Sequence, residues 1–235
     1  MSEDWTRRTI GRIDSLPRTD TAHLRTVGRW LLDELRERPT EAVVDVALEL
    51  LAKGHRLIAC ELVQGHDRAL RSLDISRLEA FGADMSSWHA VDIFCVSLAG
   101  PCWREGQISD QDIERWASSE SPWWRRAALV ATTGLNVRTR GGYGDSDRTL
   151  AVARLLVDDR ADTVVKALSW ALRELIYWEP DRVEAFLVKH QDRLAARVKR
   201  EVKAKLETGL KTAKARANPR RSRRDAPVPS SFALR

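Results

Sequence analysis

Helical periodicity fills almost the whole of this sequence, and it constrains the possible folds more than any other feature. Apolar residues recur at spacings of three and four in successive segments, as at Leu24, Val27 and Leu31. Each segment is bounded by residues that cap or break helices, and none has the alternating pattern of a β-strand. The sequence therefore predicts an all-α fold.

The predicted helices are short, and tight turns join them. Asp20 and Ser121 are typical N-cap residues, Ser109 with Asp112 matches a capping box, and the pair Gly100-Pro101 predicts a sharp helix end. We predict helices over residues 4–16, 20–38, 40–53, 55–64, 70–81, 86–99, 109–116, 121–134, 147–157, 162–178, 180–190 and 191–208.

Pairs of such helices suggest a repeat protein. Helices open near Trp123 and near Thr163, about 40 residues apart, which fits the ~40 to 47 residue period of HEAT-like repeats. We therefore predict a superhelical solenoid of HEAT-like repeats over residues 1–210, with an elongated concave surface.

Composition narrows the class of protein. Hydrophobic residues make up 43% of the chain and charged residues 31%, which is typical of a soluble globular protein. No stretch approaches the ~18 apolar residues of a membrane span, and the first residues lack the regions of a signal peptide. We expect a cytoplasmic protein with no membrane partner.

The thiols and imidazoles do not form a recognisable metal motif. Cys60, Cys95 and Cys102 are odd in number and include no Cys-x-x-Cys pair, so reduced core thiols are expected. The five histidines include no His-x-x-x-His pair. We predict no metal and no cofactor.

The basic charge is concentrated in a C-terminal tail. Residues 211–235 contain eight Lys and Arg against one acidic residue, whereas the formal charge of the first 210 residues is −1. The tail has three prolines and few apolar residues, so we predict that it is disordered. A basic arm suits a polyanion such as DNA, although many such tails are only solvated.

One stretch presents an aromatic ring and a carboxylate together. Residues 86–92 read Ser-Ser-Trp-His-Ala-Val-Asp, so Trp88 and Asp92 lie one turn apart if Ser86 or Ser87 caps a helix. The pair would lie at the border of the apolar stripe. A tryptophan packed on a neighbour beside a solvated aspartate explains the same pattern.

The predicted helix 162–178 carries a second candidate surface. Lys166, Trp170, Arg173 and Tyr177 form a row opposite its apolar stripe. A tryptophan in that row needs a partner, which is either a ligand or the neighbouring repeat.

Three arginines complete the candidate residues. Arg126 lies at the edge of the apolar face of its helix, where an ion pair is an alternative to a ligand contact. Arg138 and Arg140 precede three glycines in a connection, residues 136–147, that we expect to be flexible. This segment could bind phosphate, but it matches no P-loop or dinucleotide spacing and also reads as a plain helix connection.

Three motifs together resemble the DNA alkylation repair family, the AlkD-like glycosylases built from HEAT-like repeats. They are Ser-Trp-His-Ala-Val-Asp (87–92), Trp-Trp-Arg-Arg-Ala-Ala-Leu (123–129) and Val-Lys-Ala-Leu-Ser-Trp-Ala-Leu-Arg-Glu (165–174). The likeness covers most of residues 20–208. Each motif is weak alone, but their order and separations look like those of the family.

The resemblance implies roles for individual residues. Asp92 matches the catalytic aspartate of the family, Trp88 and Trp170 its active-site tryptophans, and Arg126 its DNA-contacting arginine. Members remove cationic N3- or N7-alkylated purines from duplex DNA without flipping the lesion into a pocket. His89 departs from the pattern, because an acidic residue is frequent at that position in the family.

The chemistry is consistent with a single carboxylate. An alkylated purine is already cationic and can leave without a general acid, so Asp92 would stabilise the oxocarbenium-like sugar. Arg126, Lys166 and Arg173 would hold phosphates. We expect a monomer associated with the nucleoid, and the alternatives are a non-catalytic binder of bent, branched or damaged DNA and a HEAT-like scaffold for another protein.

Overall fold

The structure, a computed structural model, describes residues 2–212, and regular structure in that range is helical throughout. The α-helices are α1 (Ser2–Asp14), α2 (Thr21–Leu35), α3 (Thr40–Ala52), α4 (Arg56–Gly65), α5 (Asp67–Arg71), α6 (Ile75–Gly82), α7 (Trp88–Phe94), α8 (Gly100–Arg104), α9 (Asp110–Ala117), α10 (Pro122–Ala131), α11 (Thr133–Asn136), α12 (Ser146–Leu155), α13 (Asp162–Leu175), α14 (Pro180–Lys189) and α15 (Ala196–Thr208). The predicted all-α class is confirmed.

The helices form a two-layer solenoid of consecutive pairs. The first-helix layer contains α1, α3, α6, α9, α12 and α14, and the second-helix layer contains α2, α4, α7, α10, α13 and α15. Within the second-helix layer each helix packs on the next one along the chain. The apolar stripes of both layers meet in one continuous core.

The second-helix layer gives the true repeat period. Its helices begin at Thr21, Arg56, Trp88, Pro122, Asp162 and Ala196, so the successive intervals are 35, 32, 34, 40 and 34 residues. The interval of about 40 residues that the sequence indicated is therefore the longest of the five. Residues 137–145, which connect α11 to α12, account for its extra length.

Arginine–carboxylate pairs repeat at the same period. Several join side chains that are 34 to 36 residues apart, so each pair links one repeat to the next. They are Arg25–Glu61, Arg77–Glu41, Arg115–Glu79, Arg125–Asp159, Arg126–Asp92 and Arg193–Asp158. Most are exposed and stabilise the fold little, but Arg125 and Arg126 of α10 are largely buried.

The predicted helix end at Gly100-Pro101 is wrong. Helical structure continues from Trp88 to Arg104, through a π-helical segment at Cys95–Ala99 that joins α7 to α8. The Gly100 N–H donates to the carbonyl of Cys95, five residues earlier. This hydrogen bond spans one residue more than in an α-helix, and a new α-helical turn begins at Gly100. Pro101 therefore lies in the first turn of α8, where a missing N–H is tolerated.

Two other helix predictions need correction. The segment 70–81 is not one helix, because α5 ends at Arg71 and Asp74 caps α6 by accepting from the Arg77 N–H at 2.8 Å. Residues 191–195 form a turn, and α15 begins only at Ala196. The predicted caps at Asp20 and Ser121 and the capping box of Ser109 are present.

Gly100 and Gly134 let α8 and α11 approach closely. A β-carbon on Gly134 would lie 2.4 Å from the backbone carbonyl carbon of Gly100, so only a backbone shift could relieve the clash. We expect Gly134→Ala to lower the free energy of unfolding by about 3 kcal/mol in urea titrations. Gly28→Ala is the control, because a methyl at Gly28 meets no atom within 4 Å and should be neutral or stabilising.

The described range does not include most of the predicted C-terminal tail. Residues 213–235, which include nearly all of the basic tail, lie outside the described residues. No helix within residues 2–212 has the length and apolar character to cross a membrane. Cys60, Cys95 and Cys102 are buried and unpaired, and burial raises the pKa of Cys60 and of Cys102 to about 12.

Candidate active site

The first turn of α7 is set by Ser87. The Ser87 hydroxyl accepts from the Ala90 N–H at 3.2 Å, and the extended backbone of Ser87 ends the preceding turn. Helical geometry then places Trp88 and Asp92 one turn apart on one face. Of the two caps that the sequence allowed, Ser87 is the one used.

The Asp92 carboxylate is held at one oxygen only. Its Oδ1 accepts from Arg126 Nε at 3.1 Å and from Arg126 Nη2 at 2.7 Å. Its Oδ2 accepts no hydrogen bond from residues 2–212, and 22% of the side chain remains exposed. Burial raises the pKa of Asp92, and the charges of Arg126 and His89 oppose that rise. The site is therefore an anchored carboxylate with one free oxygen.

Arg126 joins three consecutive repeats. Only 6% of its side chain is exposed, and its Nη1 donates to the carbonyl of Thr163 at 2.7 Å, at the start of α13. The sequence indicated a phosphate contact for Arg126. Three of its five N–H groups already donate hydrogen bonds within the protein, and burial of the side chain leaves a phosphate little access to the other two.

Trp88 lies open to solvent. It is 62% exposed, and its ring meets the edge of the neighbouring His89 ring at 5.6 Å between centroids. A tryptophan packed on a neighbouring repeat would be largely covered, so that alternative does not fit. An exposed aromatic face thus lies one turn before the free oxygen of Asp92.

The row on α13 does not face solvent uniformly. Lys166 is exposed and pairs with Asp162 at 2.6 Å, whereas Trp170 is half-buried against the core with its Nε1 donating to Glu174 at 2.9 Å. Arg173 is mostly buried between α13 and α15. Its Nε donates to the Ser169 hydroxyl at 3.3 Å and lies 4.0 Å from the carboxylate of Glu201 on α15. Burial lowers the pKa of Arg173.

A cavity with a mixed polar and apolar lining lies beside α7. It has a volume of about 470 Å³, and the N-terminal ends of α2, α4 and α7 line it, including His55, Arg56 and His89. These side chains come from three repeats, so no local sequence pattern could have indicated the cavity. The Thr163 carbonyl is a second group that the sequence did not reveal, since it acts through its backbone.

Arg138 and Arg140 lie apart from Asp92. They occupy a short 3₁₀ turn, Arg138–Arg140, beyond α11, and Arg138 lies near Tyr177 at the C-terminal end of α13. Both arginines are exposed. The structure thus brings Asp92 and Arg126 into contact and places the loop arginines at the opposite end of α13 from Thr163.

The described residues contain no cluster suited to a metal. Within residues 2–212, no three His, Cys, Asp or Glu side chains are grouped so as to hold an ion. Where Asp92 and Arg126 meet, the side chains present are a carboxylate anchored by a guanidinium, with the exposed Trp88 ring one helical turn away.

The chain resembles known proteins at the level of a family rather than of an individual sequence. No curated protein matches the chain. The family model described as DNA alkylation repair enzyme matches residues 18–206, a range that runs from α2 to most of α15 and includes every candidate residue above. The chain therefore belongs to the DNA alkylation repair enzyme family.

Proposed function

We propose that this protein is a DNA glycosylase that hydrolyses the N-glycosidic bond of cationic N3- or N7-alkylated purines in duplex DNA. Membership of the family supports a role in DNA repair. The glycosylase reaction and its substrate class are inferred from the setting of the site residues and from the chemistry of the lesion.

The observation that carries the proposal is the partly exposed Asp92, with one oxygen anchored and one free. Arg126 fixes the carboxylate through two hydrogen bonds, so its charge and direction are set before substrate binds. A preorganised negative group of this kind stabilises positive charge that develops in a transition state. The free Oδ2 is the atom that would face the sugar.

The reaction needs only this one carboxylate. As the bond between C1′ and the purine nitrogen breaks, its electron pair neutralises the cationic base, which leaves as a neutral purine. The sugar becomes oxocarbenium-like, and water adds to C1′ and gives up a proton. Asp92 stabilises the sugar cation and orients or deprotonates that water.

The two tryptophans suit a positively charged nucleotide. Cations lie favourably over indole faces, which contributes about 0.5 to 2 kcal/mol for each ring. Trp88 offers an exposed ring, and Trp170 offers the part of its ring that the core leaves uncovered. The open position of Trp88 and Asp92 favours a lesion that is not flipped into an enclosed pocket.

The cations around the site would fix the position of the DNA. Lys166 is exposed on α13 and can leave Asp162 for a phosphate at little cost, because surface pairs are weak. Arg173 is a less accessible phosphate ligand, and Arg126 acts here mainly as the residue that positions Asp92.

The proposal is tested by incubating the full chain with duplexes that carry N7-methylguanine or N3-methyladenine and measuring free base. A duplex with uracil is the control, because an uncharged base needs protonation in order to leave. Release from the cationic lesions alone is expected. Binding without release would favour a non-catalytic DNA binder, and absence of both would favour a protein scaffold.

A further inference from the structure

The connection between α11 and α12 is longer than the others in the described solenoid. Residues 137–145 lengthen one repeat interval to 40 residues, whereas the other intervals are 32 to 35. A shorter connection, as between the other repeats, would be enough to join α11 to α12. The extra residues in this segment include Arg138 and Arg140 and are packed against the rest of the fold, which indicates a role beyond joining the helices.

Close packing holds the connection in place. Gly144 has a φ of 87° and lies so near Trp178 that a β-carbon would be 2.5 Å from its ring. The Trp178 Nε1 donates to the Asn136 carbonyl at 2.8 Å, and Arg104 donates to the Arg140 carbonyl at 2.6 Å. The flexible connection predicted from the glycines is therefore wrong, because they allow tight packing.

This fixed connection presents cations beside exposed aromatic rings. The Arg138 guanidinium lies 4.7 Å over the Tyr177 ring and donates to its hydroxyl, and Tyr177 meets Trp178 edge to face. Tyr177 is 63% exposed and Tyr143 is 53% exposed. Within residues 2–212, no carboxylate lies within salt-bridge distance of Arg138 or Arg140, so the positive charge is uncompensated at short range.

We propose that the surface formed by Arg138, Arg140, Tyr143 and Tyr177, here called the loop patch, binds the sugar–phosphate backbone of the duplex that flanks the lesion. This inference rests on the duplex DNA partner of the proposed function. Arginines without a carboxylate partner can form ion pairs with phosphate groups, and the tyrosine hydroxyls can donate hydrogen bonds to phosphate oxygens. A preorganised arginine loses less side-chain entropy on binding.

The loop patch contacts DNA well away from the excised base. Tyr177 follows Thr163, which Arg126 holds near Asp92, by fourteen residues. α13 ends at Leu175 and a turn leads on to Tyr177, so at ~1.5 Å per residue the two positions are ~20 Å apart along the helix axis. On a duplex whose axis follows α13, with a rise of ~3.4 Å per base pair, ~20 Å corresponds to about six base pairs. A duplex with about four base pairs on each side of the lesion cannot reach the patch.

The test compares two double variants on two lengths of duplex. Arg138→Ala/Arg140→Ala removes the patch cations, and Arg68→Ala/Arg154→Ala removes two exposed arginines from α5 and α12 as a charge-matched control. Binding is measured by fluorescence anisotropy at about 50 to 200 mM salt on duplexes with a central 2′-fluoro-arabino N7-methylguanine, a lesion analogue whose glycosidic bond resists hydrolysis. The long-arm duplex has about ten base pairs on each side of the lesion position, and the short-arm duplex has about four.

On long arms we expect the patch variant to lose two phosphate contacts. Its slope of log affinity against log salt should be about 1.8 smaller, so wild type should lose ~10-fold more affinity than the variant across that salt range. On short arms the patch variant and wild type should bind alike. The control should match wild type on both lengths.

An equal loss of affinity on both duplex lengths would overturn the proposal, because it would reveal a general charge effect. No loss on the long arms would also overturn it. Because the lesion analogue is not hydrolysed, the result does not depend on base excision. Failure of the loop patch can therefore be distinguished from failure of the glycosylase proposal.

Discussion

Asp92→Asn should reduce single-turnover excision of N7-methylguanine by ~100-fold or more, the scale for loss of one preorganised electrostatic group. The amide keeps the shape of the side chain and an oxygen that can accept from Arg126, but it lacks the charge that stabilises the sugar cation. DNA affinity, measured on the same duplex, should persist or increase, since a negative charge near the phosphates is removed.

Asp159→Asn is the matched control for this substitution. Asp159 accepts from Arg125 of α10 at 2.6 Å, so the variant weakens a comparable inter-repeat pair away from Trp88 and Asp92. It should destabilise the fold without slowing excision. Wild-type excision by Asp92→Asn would contradict the catalytic role.

Arg126→Gln should move the acid limb of the pH–rate profile to higher pH. Burial raises the pKa of Asp92 and Arg126 opposes it, so removal of the guanidinium raises that pKa further. The ionised carboxylate is the active form, and activity is lost as pH falls through its pKa. Single-turnover excision after subtraction of spontaneous depurination measures the shift.

The same substitution should destabilise the fold. Arg126→Gln leaves Asp92 partly buried without its partner, which costs about 2 to 3 kcal/mol, less than for a fully buried pair because water still reaches the carboxylate. Arg125→Gln, which breaks the pair with Asp159, should cost a similar amount and leave the pH profile unchanged. An acid limb that stays in place in Arg126→Gln would contradict a positioning role for Arg126.

Local features of the fold could be predicted from the sequence. The caps at Asp20, Ser109 and Ser121, and the choice between Ser86 and Ser87, depend on hydrogen bonds within a few residues. Such interactions are visible in the order of residues, and the all-α class was accordingly within reach. The exposure of Trp88 was not, because a neighbouring repeat could have covered its ring.

Contacts between repeats could not be predicted in the same way. Arg126 and Asp92 are 34 residues apart, and nothing in either helix indicates that they meet. The turn of Arg173 toward Glu201 of α15 depends on how α13 and α15 pack. A pattern in one helix indicates which face is apolar but not which neighbouring side chain a polar residue will contact.

The π-helical segment Cys95–Ala99 determines the direction, around the axis of the 88–104 helix, in which the Asp92 side chain points. A π-turn accommodates one additional residue in a helix, and each residue turns the following ones by about 100°. Beyond it, Gly100 is locked against Gly134, so the segment decides which way the Asp92 end points. Loss of one residue there would rotate the carboxylate away from Arg126. The direction of the Asp92 carboxylate is thus specified by the number of residues in the helix as much as by their type.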